Sequence, residues 1–449
     1  MGETRRKPSK RSLKAQQKRE ILGKMAPGLR FQVLSESSPP YDDSIPESTK
    51  PRSKIQPSSP AVSLVLDNSL VQVCDLGASK GFGLVAATRI RPGTLVLEEE
   101  PVIRLTEEEE ADSSQVEDLI QARLQSLSAT IKKNFKHLHD TDRAGFTVEQ
   151  SIYYSNCYNL SAFRSRNGGS CLGLKAARIN HSCIPNVQFS FVEADLSRPT
   201  TLQNSLSPPA SEDMTDASPS TGSQKGLMRF HAIRTIRSGE EILSNYDSAY
   251  LTARERRLSQ QSYYGFQCDC RACSETDGGA KSNDNRMKMI QYRRTLREAE
   301  MKWRAGAVDR NPATETDYDT KDRGWDQMAG LSEQQQRLNA MGNAVDIKSS
   351  TRYFNNYKMK DEIPAIIVTL QNLARVLRDE KLFGIELVDT YNKLAKWSER
   401  ADDMEGVNTW LKTERETCLT AFGADSRQVR KIDEKLQRLE RSNKDKVQA

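Results

Sequence analysis

The sequence predicts an α+β chain in which a β-rich domain, fastened by a metal, precedes a region made only of helices. Three observations carry that expectation. Short apolar runs punctuated by Gly and Pro begin near residue 61; three cysteines crowd into six positions at Cys268, Cys270 and Cys273; and after Ser274 apolar residues recur at helical spacing. A chain of 449 residues suits two or three domains. The division expected is a tail over 1–60, a β-rich domain over 61–276 and a helical domain over 277–449.

The tail is read first from charge. Residues 1–24 hold nine Lys or Arg against Glu3 and Glu20, a net +7, whereas the whole chain carries only +6. Such an arm serves as a nuclear address, as a nucleic-acid contact, or as nothing more than a solvated tail. From Leu34 to Pro60, Ser, Pro and charged residues dominate, with too few apolar side chains to offset the entropy of ordering, so 1–60 is expected to be disordered.

Strands are expected in SLVLDNSLVQVCDL, GLVAATRI and TLVLEEEPVI, the last after an Arg91-Pro92-Gly93 turn. Over 106–150 the period changes: Val116, Ile120, Leu124, Leu127, Ile131, Phe135 and Leu138 step as one helix face does, a stripe that serves as core or as a partner-binding element. NVQFSFV and LMRFHAIRTI then read as a hairpin whose polar loop, about 194–226, has the composition of disorder. Helices are expected at Met287 to Trp303, Ile363 to Leu377, Leu382 to Trp397, Val407 to Leu419 and Val429 to Leu439. Their short connections suggest stacked antiparallel pairs. No strict repeat of about 34 residues is visible, so the likeness to a tetratricopeptide array is loose.

Composition excludes other classes. No apolar run approaches the roughly 18 to 20 residues that span a bilayer, and the N-terminus lacks the apolar core of a secretory signal, so a soluble intracellular protein without membrane contact is expected. Eight Cys in a reducing compartment point to metal rather than disulfides.

Four motifs carry the chemistry. Lys80-Gly81-Phe82-Gly83 is a Gly-x-Gly turn, either a plain turn or a place where missing Cβ atoms let backbone approach a ligand. Arg178-Ile179-Asn180-His181-Ser182-Cys183-Ile184-Pro185-Asn186 packs two amides, an imidazole and a thiol around a Pro, in a chain with four His. Gly239-Glu240-Glu241-Ile242-Leu243-Ser244-Asn245-Tyr246 leads a turn into a strand ending on Tyr, which is either functional or a buried Tyr satisfying its hydroxyl. Tyr264-Gly265-Phe266-Gln267-Cys268-Asp269-Cys270-Arg271-Ala272-Cys273 supplies three thiolates of a tetrahedral site. Cys183, 85 residues upstream of Cys268, is the natural fourth ligand. Zinc suits the set; an iron–sulfur cluster also uses four Cys, but nothing else in the sequence suggests redox chemistry.

Taken in this order, the motifs resemble those of the SET-domain lysine methyltransferases, and most of all the SET-and-MYND class and its fungal relatives. The resemblance covers about 61–276 by motif and 277–449 by architecture only. It departs in one respect: 106–150 contains no Cys and only His137 and His139, so the MYND finger is absent and its recruitment role is not carried over.

The resemblance implies a SET domain with a pseudoknot and a four-cysteine post-SET zinc site, one structural zinc per chain, and S-adenosyl-L-methionine as cofactor. It places Lys80, Gly81, Phe82 and Gly83 around the methionine end of the cofactor, with Asn156, Asn180, His181 and Tyr246 completing the pocket and Phe266 stacked on the adenine. Tyr246 and Tyr264 would face the target amine as the catalytic pair, with no carboxylate as general base. The substrate implied is a protein presenting lysine, histone or non-histone, and the location implied for this chain is the nucleus, the cytoplasm or both. The helical domain is expected to pack against the SET core and wall one side of the cleft, so that truncation after Ser274 leaves a soluble protein that still binds the cofactor; it could hold a partner, and nucleic acid enters only through the basic tail. The alternative from another class is an inactive SET-type scaffold with a zinc-stabilised fold.

Overall fold

The computed structural model describes residues 70–78, 80–112, 115–160, 168–193, 226–307 and 356–448. The expected disordered tail and nearly all of the loop at 194–226 lie outside these residues. Strands β1 (Val71–Asp75) and β2 (Phe82–Ala86) form an antiparallel pair across the Gly-x-Gly turn, with Cys74 opposite Gly83. Gly81 sits at φ 63°, a left-handed conformation that Gly reaches without Cβ strain.

Strand β3 (Leu95–Glu99) and β4 (Ile103–Leu105) follow. Four helices then make the insert: α1 (Glu107–Ala111), α2 (Val116–Gln125), α3 (Ala129–Lys136) and α4 (Val148–Asn156). The stripe read as one helix face is divided between α2 and α3, because Ser128 adopts extended backbone and its hydroxyl accepts from the Ile131 N–H. Its apolar residues still meet. Val116, Ile120, Leu124, Phe135 and Leu138 are buried in one cluster with Ile103 and Leu105 of β4, so the stripe is core.

Strands β5 (Tyr158–Asn159) and β6 (Ser170–Leu172) complete a sheet of order β4-β6-β5. A 3-10 turn at Ala176–Arg178 leads into β7 (Asn180–His181). Next come β8 (Val187–Val192), β9 (Leu227–Ala232) and β10 (Leu243–Ser244). The hairpin is present as an antiparallel β8–β9 ladder running from Val187 opposite Ala232 to Val192 opposite Leu227, with β3 on its other edge. Leu84, Val96, Ile179, Phe189 and Phe230 form the core beneath these strands. Each such side chain contributes about 1.5–3 kcal/mol by leaving water.

Past β10 the chain is helical: α5 (Ala253–Tyr264), α6 (Asp277–Ala307), α7 (Asn356–Asp379), α8 (Ile385–Arg400), α9 (Met404–Phe422) and α10 (Arg427–Gln448). Their buried stripes, among them Leu370, Leu377, Tyr391, Trp397 and Leu411, share a core that also takes in Ile233 and Ala249 from the strand-rich half. Polar contacts seal the junction. The α8 N-terminus has Gly384 and no side-chain cap of its own, and Gln188 of β8 accepts its Ile385 N–H at 3.2 Å. Arg286 of α6, fully buried, donates to the Cys183 carbonyl at 2.9 Å and the Ala249 carbonyl at 2.6 Å, and pairs with Glu380 at 3.3 Å. No helix among the described residues is long and apolar enough to cross a membrane.

Candidate functional site

The site is built where β7 and β10 run side by side. They pair in parallel, Asn180 opposite Leu243 and His181 opposite Ser244, which brings together motifs more than 60 residues apart. Asn186 sutures the pair: its Nδ2 donates to the Glu241 carbonyl at 2.7 Å and its Oδ1 accepts the Leu243 N–H at 2.7 Å. From beneath, half-buried Glu99 accepts the backbone N–H groups of Lys175 (3.0 Å) and Ala176 (2.8 Å), setting the turn that delivers Asn180. Burial pushes the Glu99 carboxyl up, and those donors hold it part of the way down.

The Gly-x-Gly turn closes on this pair. A Cβ on Gly83 would lie 2.5 Å from Leu76 Cδ1 and 2.9 Å from Asn180 Nδ2, so a larger residue there would displace the Leu76 and Asn180 side chains. Glu241 ties the motifs together, accepting from Asn180 Nδ2 at 2.9 Å and from Lys80 Nζ at 2.9 Å. Burial alone would lower the Lys80 ammonium, but the hydrogen bond and charge of Glu241, helped by Asp269, raise it overall. Phe82 lies under the Arg178 guanidinium, 5.5 Å from ring centre to Cζ.

Four rings line the adjoining space. Tyr246 and Tyr264, both buried, have centroids 4.9 Å apart; His181 is 5.2 Å from Tyr246 and 5.8 Å from Phe266. The Tyr246 N–H donates to His181 Nδ1 at 3.0 Å, and its hydroxyl donates to the Ile179 carbonyl at 2.7 Å, so the phenolic proton points at Ile179. Asn156 stands apart from Asn180. Its Nδ2 serves the His139 and Ile152 carbonyls, both at 2.7 Å, so only its Oδ1 is left for a ligand.

Beside the rings lies the thiol cluster. The sulfurs of Cys183, Cys268, Cys270 and Cys273 all lie within 4.8 Å of one another, with Cys183 and Cys273 3.5 Å apart. A tetrahedral zinc with Zn–S near 2.3 Å needs an edge of about 3.8 Å, so the donors fit in number, type and spacing. Hydrogen bonds from Cys268, Cys270 and Cys273 push Cys183 up while the same network holds Cys270 low, as expected of crowded sulfurs that cannot all ionise without a cation. The surroundings suit an anionic cluster. Arg256, fully buried, directs Nη2 at Cys273 Sγ (3.6 Å) and donates to the Ala272 carbonyl (2.9 Å).

Several residues here were quoted in motifs without a role or not singled out at all: Glu241, Glu99, Arg178, Arg256 and Gln260. Glu241 stood in the Gly-Glu-Glu turn, yet nothing local to it announces a partner 161 residues away at Lys80. Glu99 and Arg256 carry no motif signal.

Comparison with known proteins agrees with this geometry. Residues 81–247 match the SET domain family. Over 229 residues the chain is 24% identical to the putative SET domain-containing protein L678 of Acanthamoeba polyphaga mimivirus, covering 44% of this chain and 75% of that one. Over 215 residues it is 26% identical to the histone-lysine N-methyltransferase set5 of Schizosaccharomyces pombe, covering 48% of this chain and 54% of the yeast protein. Against the N-lysine methyltransferase SMYD2-A of Xenopus laevis it is 23% identical over 158 residues, 35% of this chain and 28% of that one. The chain thus spans about half the length of the yeast relative and less of the frog one.

Proposed function

We propose that this chain, which carries a SET domain and is similar to SET-domain lysine methyltransferases, transfers a methyl group from S-adenosyl-L-methionine to the ε-amine of lysine in a protein substrate. The observation that carries the reading is the convergence of the His181, Tyr246, Tyr264 and Phe266 rings beside Asn180 and the Lys80 to Gly83 turn. When bound, S-adenosyl-L-methionine supplies an electrophilic methyl on a sulfonium. Lys80 is placed to meet a carboxylate, and the close approach at Gly83 leaves backbone beside it. Asn180, His181 and Phe266 line the remainder of that pocket.

The amine must arrive neutral and in line with the methyl, so positioning and exclusion of water dominate the rate. Tyr246 and Tyr264 supply both. Their faces attract the incoming ammonium, and the Tyr246 oxygen, whose proton is spent on Ile179, accepts an amine N–H and turns the nitrogen lone pair away from itself. The zinc proposed at Cys183, Cys268, Cys270 and Cys273 is structural, because four protein ligands leave no open position. Its role is to hold the segment bearing Tyr264 and Phe266 against the segment bearing His181. Relatives named as histone methyltransferases favour a nuclear or cytoplasmic protein as substrate.

Cell extract incubated with the protein and isotopically labelled S-adenosyl-L-methionine, then read by mass spectrometry, should show label on lysine ε-amines. Labelling no greater than that given by Tyr246→Phe would overturn the reading.

A further inference from the structure

The helical insert touches the aromatic wall at a place the methyl-transfer reading does not use. Helix α5 ends at Tyr264, with Gly265 at φ 71° as its C-cap, and the last carbonyls of such a helix have no partner within it. Two are taken by the insert: His139 Nε2 lies 2.9 Å from the Tyr264 carbonyl, and Arg143 Nη2 donates to the Tyr263 carbonyl. A carbonyl can only accept, so His139 carries its proton on Nε2. The Arg143 guanidinium also stands over the Tyr263 ring, 5.9 Å from its centre.

The segment that presents these donors is itself tied down. Asp142 adopts a left-handed φ of 47° with its N–H on Asp140 Oδ1 at 2.8 Å. Arg143 Nε donates to Thr141 Oγ1 at 3.0 Å, and Thr141 is hydrogen-bonded to Ser155 of α4 at 2.8 Å. The His139 carbonyl accepts from Asn156 at 2.7 Å. One short loop therefore joins α4 to the C-terminus of α5, immediately before Phe266 and the zinc ligand Cys268.

We infer that His139 and Arg143 are positioning residues: by capping the Tyr263 and Tyr264 carbonyls they fix the α5 terminus, and through it the Tyr264 and Phe266 rings. The insert that connects the strands, whose residues 106–150 contain no Cys, acts as a strut for the amine pocket. The role attributed to the rings rests on the methyl-transfer reading; the strut does not.

The test therefore has two arms, on the full chain loaded with zinc. Hydrogen–deuterium exchange of the peptide spanning 262–269 is measured for His139→Leu, His139→Gln, Arg143→Met and Arg143→Lys. His139 is exposed, so its replacement leaves the core intact, and zinc content with the melting temperature checks each fold. Losing one cap should speed exchange at Gly265 about tenfold in His139→Leu and Arg143→Met, while His139→Gln and Arg143→Lys, which keep an N–H donor, recover most of the protection. Unchanged exchange in both apolar variants would overturn the strut, as would equal acceleration in the donor-keeping pair, since packing alone would then explain it.

In the second arm, kcat on a methylated substrate should fall about tenfold in the apolar variants, with KM for S-adenosyl-L-methionine within about twofold. A loss confined to that KM would place the effect in the cofactor pocket and overturn the assignment to the rings. If wild type shows no turnover, the methyl-transfer reading fails while the exchange arm still decides the strut.

Discussion

His181 and Tyr246 are bonded through the backbone: the Tyr246 N–H donates to His181 Nδ1 at 3.0 Å, and the other ring nitrogen of His181 stands 3.3 Å from Cys183 Sγ. Because Nδ1 accepts, the neutral imidazole carries its proton on Nε2, aimed at the sulfur. Gln260, packed beside this ring, donates from its Nε2 to Asp247 at 3.0 Å. One imidazole thus connects the amine pocket to the thiol cluster.

His181→Ala should therefore weaken S-adenosyl-L-methionine binding and also loosen zinc. Calorimetry gives the first and the rate of metal release to a chelator the second. Unchanged affinity for the cofactor would remove His181 from the pocket, and unchanged release would cut its link to Cys183.

Tyr246→Phe removes one hydroxyl and keeps the ring. The expected result is a loss of about 100-fold or more in kcat with cofactor affinity preserved. A comparable loss of affinity would contradict the role given to the hydroxyl.

Metal analysis should find one zinc per chain. Cys183→Ser should release it as readily as Cys270→Ser, since each removes one of four equivalent sulfurs. Full retention after Cys183→Ser would break the long closure between the two motifs.

Stability against pH should show two opposing buried groups. Burial, with the Arg229 charge beside it, lowers His231 to about 4. The unfolded chain then binds the extra proton between about 6.5 and 4, so this contribution is full above the unfolded value and is lost as pH falls through that window, at up to about 1.4 kcal/mol per pH unit. Burial raises Glu414 to about 7, so its folded form keeps a proton that the unfolded chain releases, and stability falls as pH rises from about 4.5 to 7. Because Glu99, Glu110 and Glu386 are raised in the same sense as Glu414 and are present in every variant, urea unfolding at pH 4.5 and 6.5 should show, relative to wild type, stability falling more steeply with pH in His231→Asn and less steeply in Glu414→Gln. Identical slopes in wild type and both variants would show that neither group is linked to folding.

Separation of the helical region is the last case. Ending the chain after Ser274 would expose Ile233 and Ala249, leave the Cys183 carbonyl without Arg286, and strip Gln188 of its partner at Ile385. The shared core agrees with helices packed against the strand-rich half, and the fragment is expected to aggregate and lose zinc rather than stay soluble, as size-exclusion chromatography and metal analysis would report. A soluble, zinc-loaded monomer would restore the original view.

The sequence by itself determined the strands before the insert, the β8–β9 hairpin, the helices of the insert and of the C-terminal region, and the chemistry of the four motifs, but it announced neither β5, β6 and β7 nor α5. These signals are local: apolar alternation, helical period, and residue types such as Asn-His-Ser-Cys and Cys-x-Cys-x2-Cys whose side chains have few other uses. It also placed Cys183 with the three later cysteines, because a closed tetrahedral site needs a fourth ligand and Cys183 was the natural candidate. The tertiary structure decided what no local pattern encodes. Glu241 is one Glu among many until the β7–β10 pairing sets it between Asn180 and Lys80; Arg286 and Arg256 carry no local signal, and only their burial shows them holding carbonyls and a thiol; His139 and Arg143 acquire a partner only when α5 ends against their loop. The reason is one of range. A helix or strand preference arises from neighbours a few residues away, whereas a buried charge is stable only where distant segments converge to satisfy it, and that convergence is a property of the folded chain.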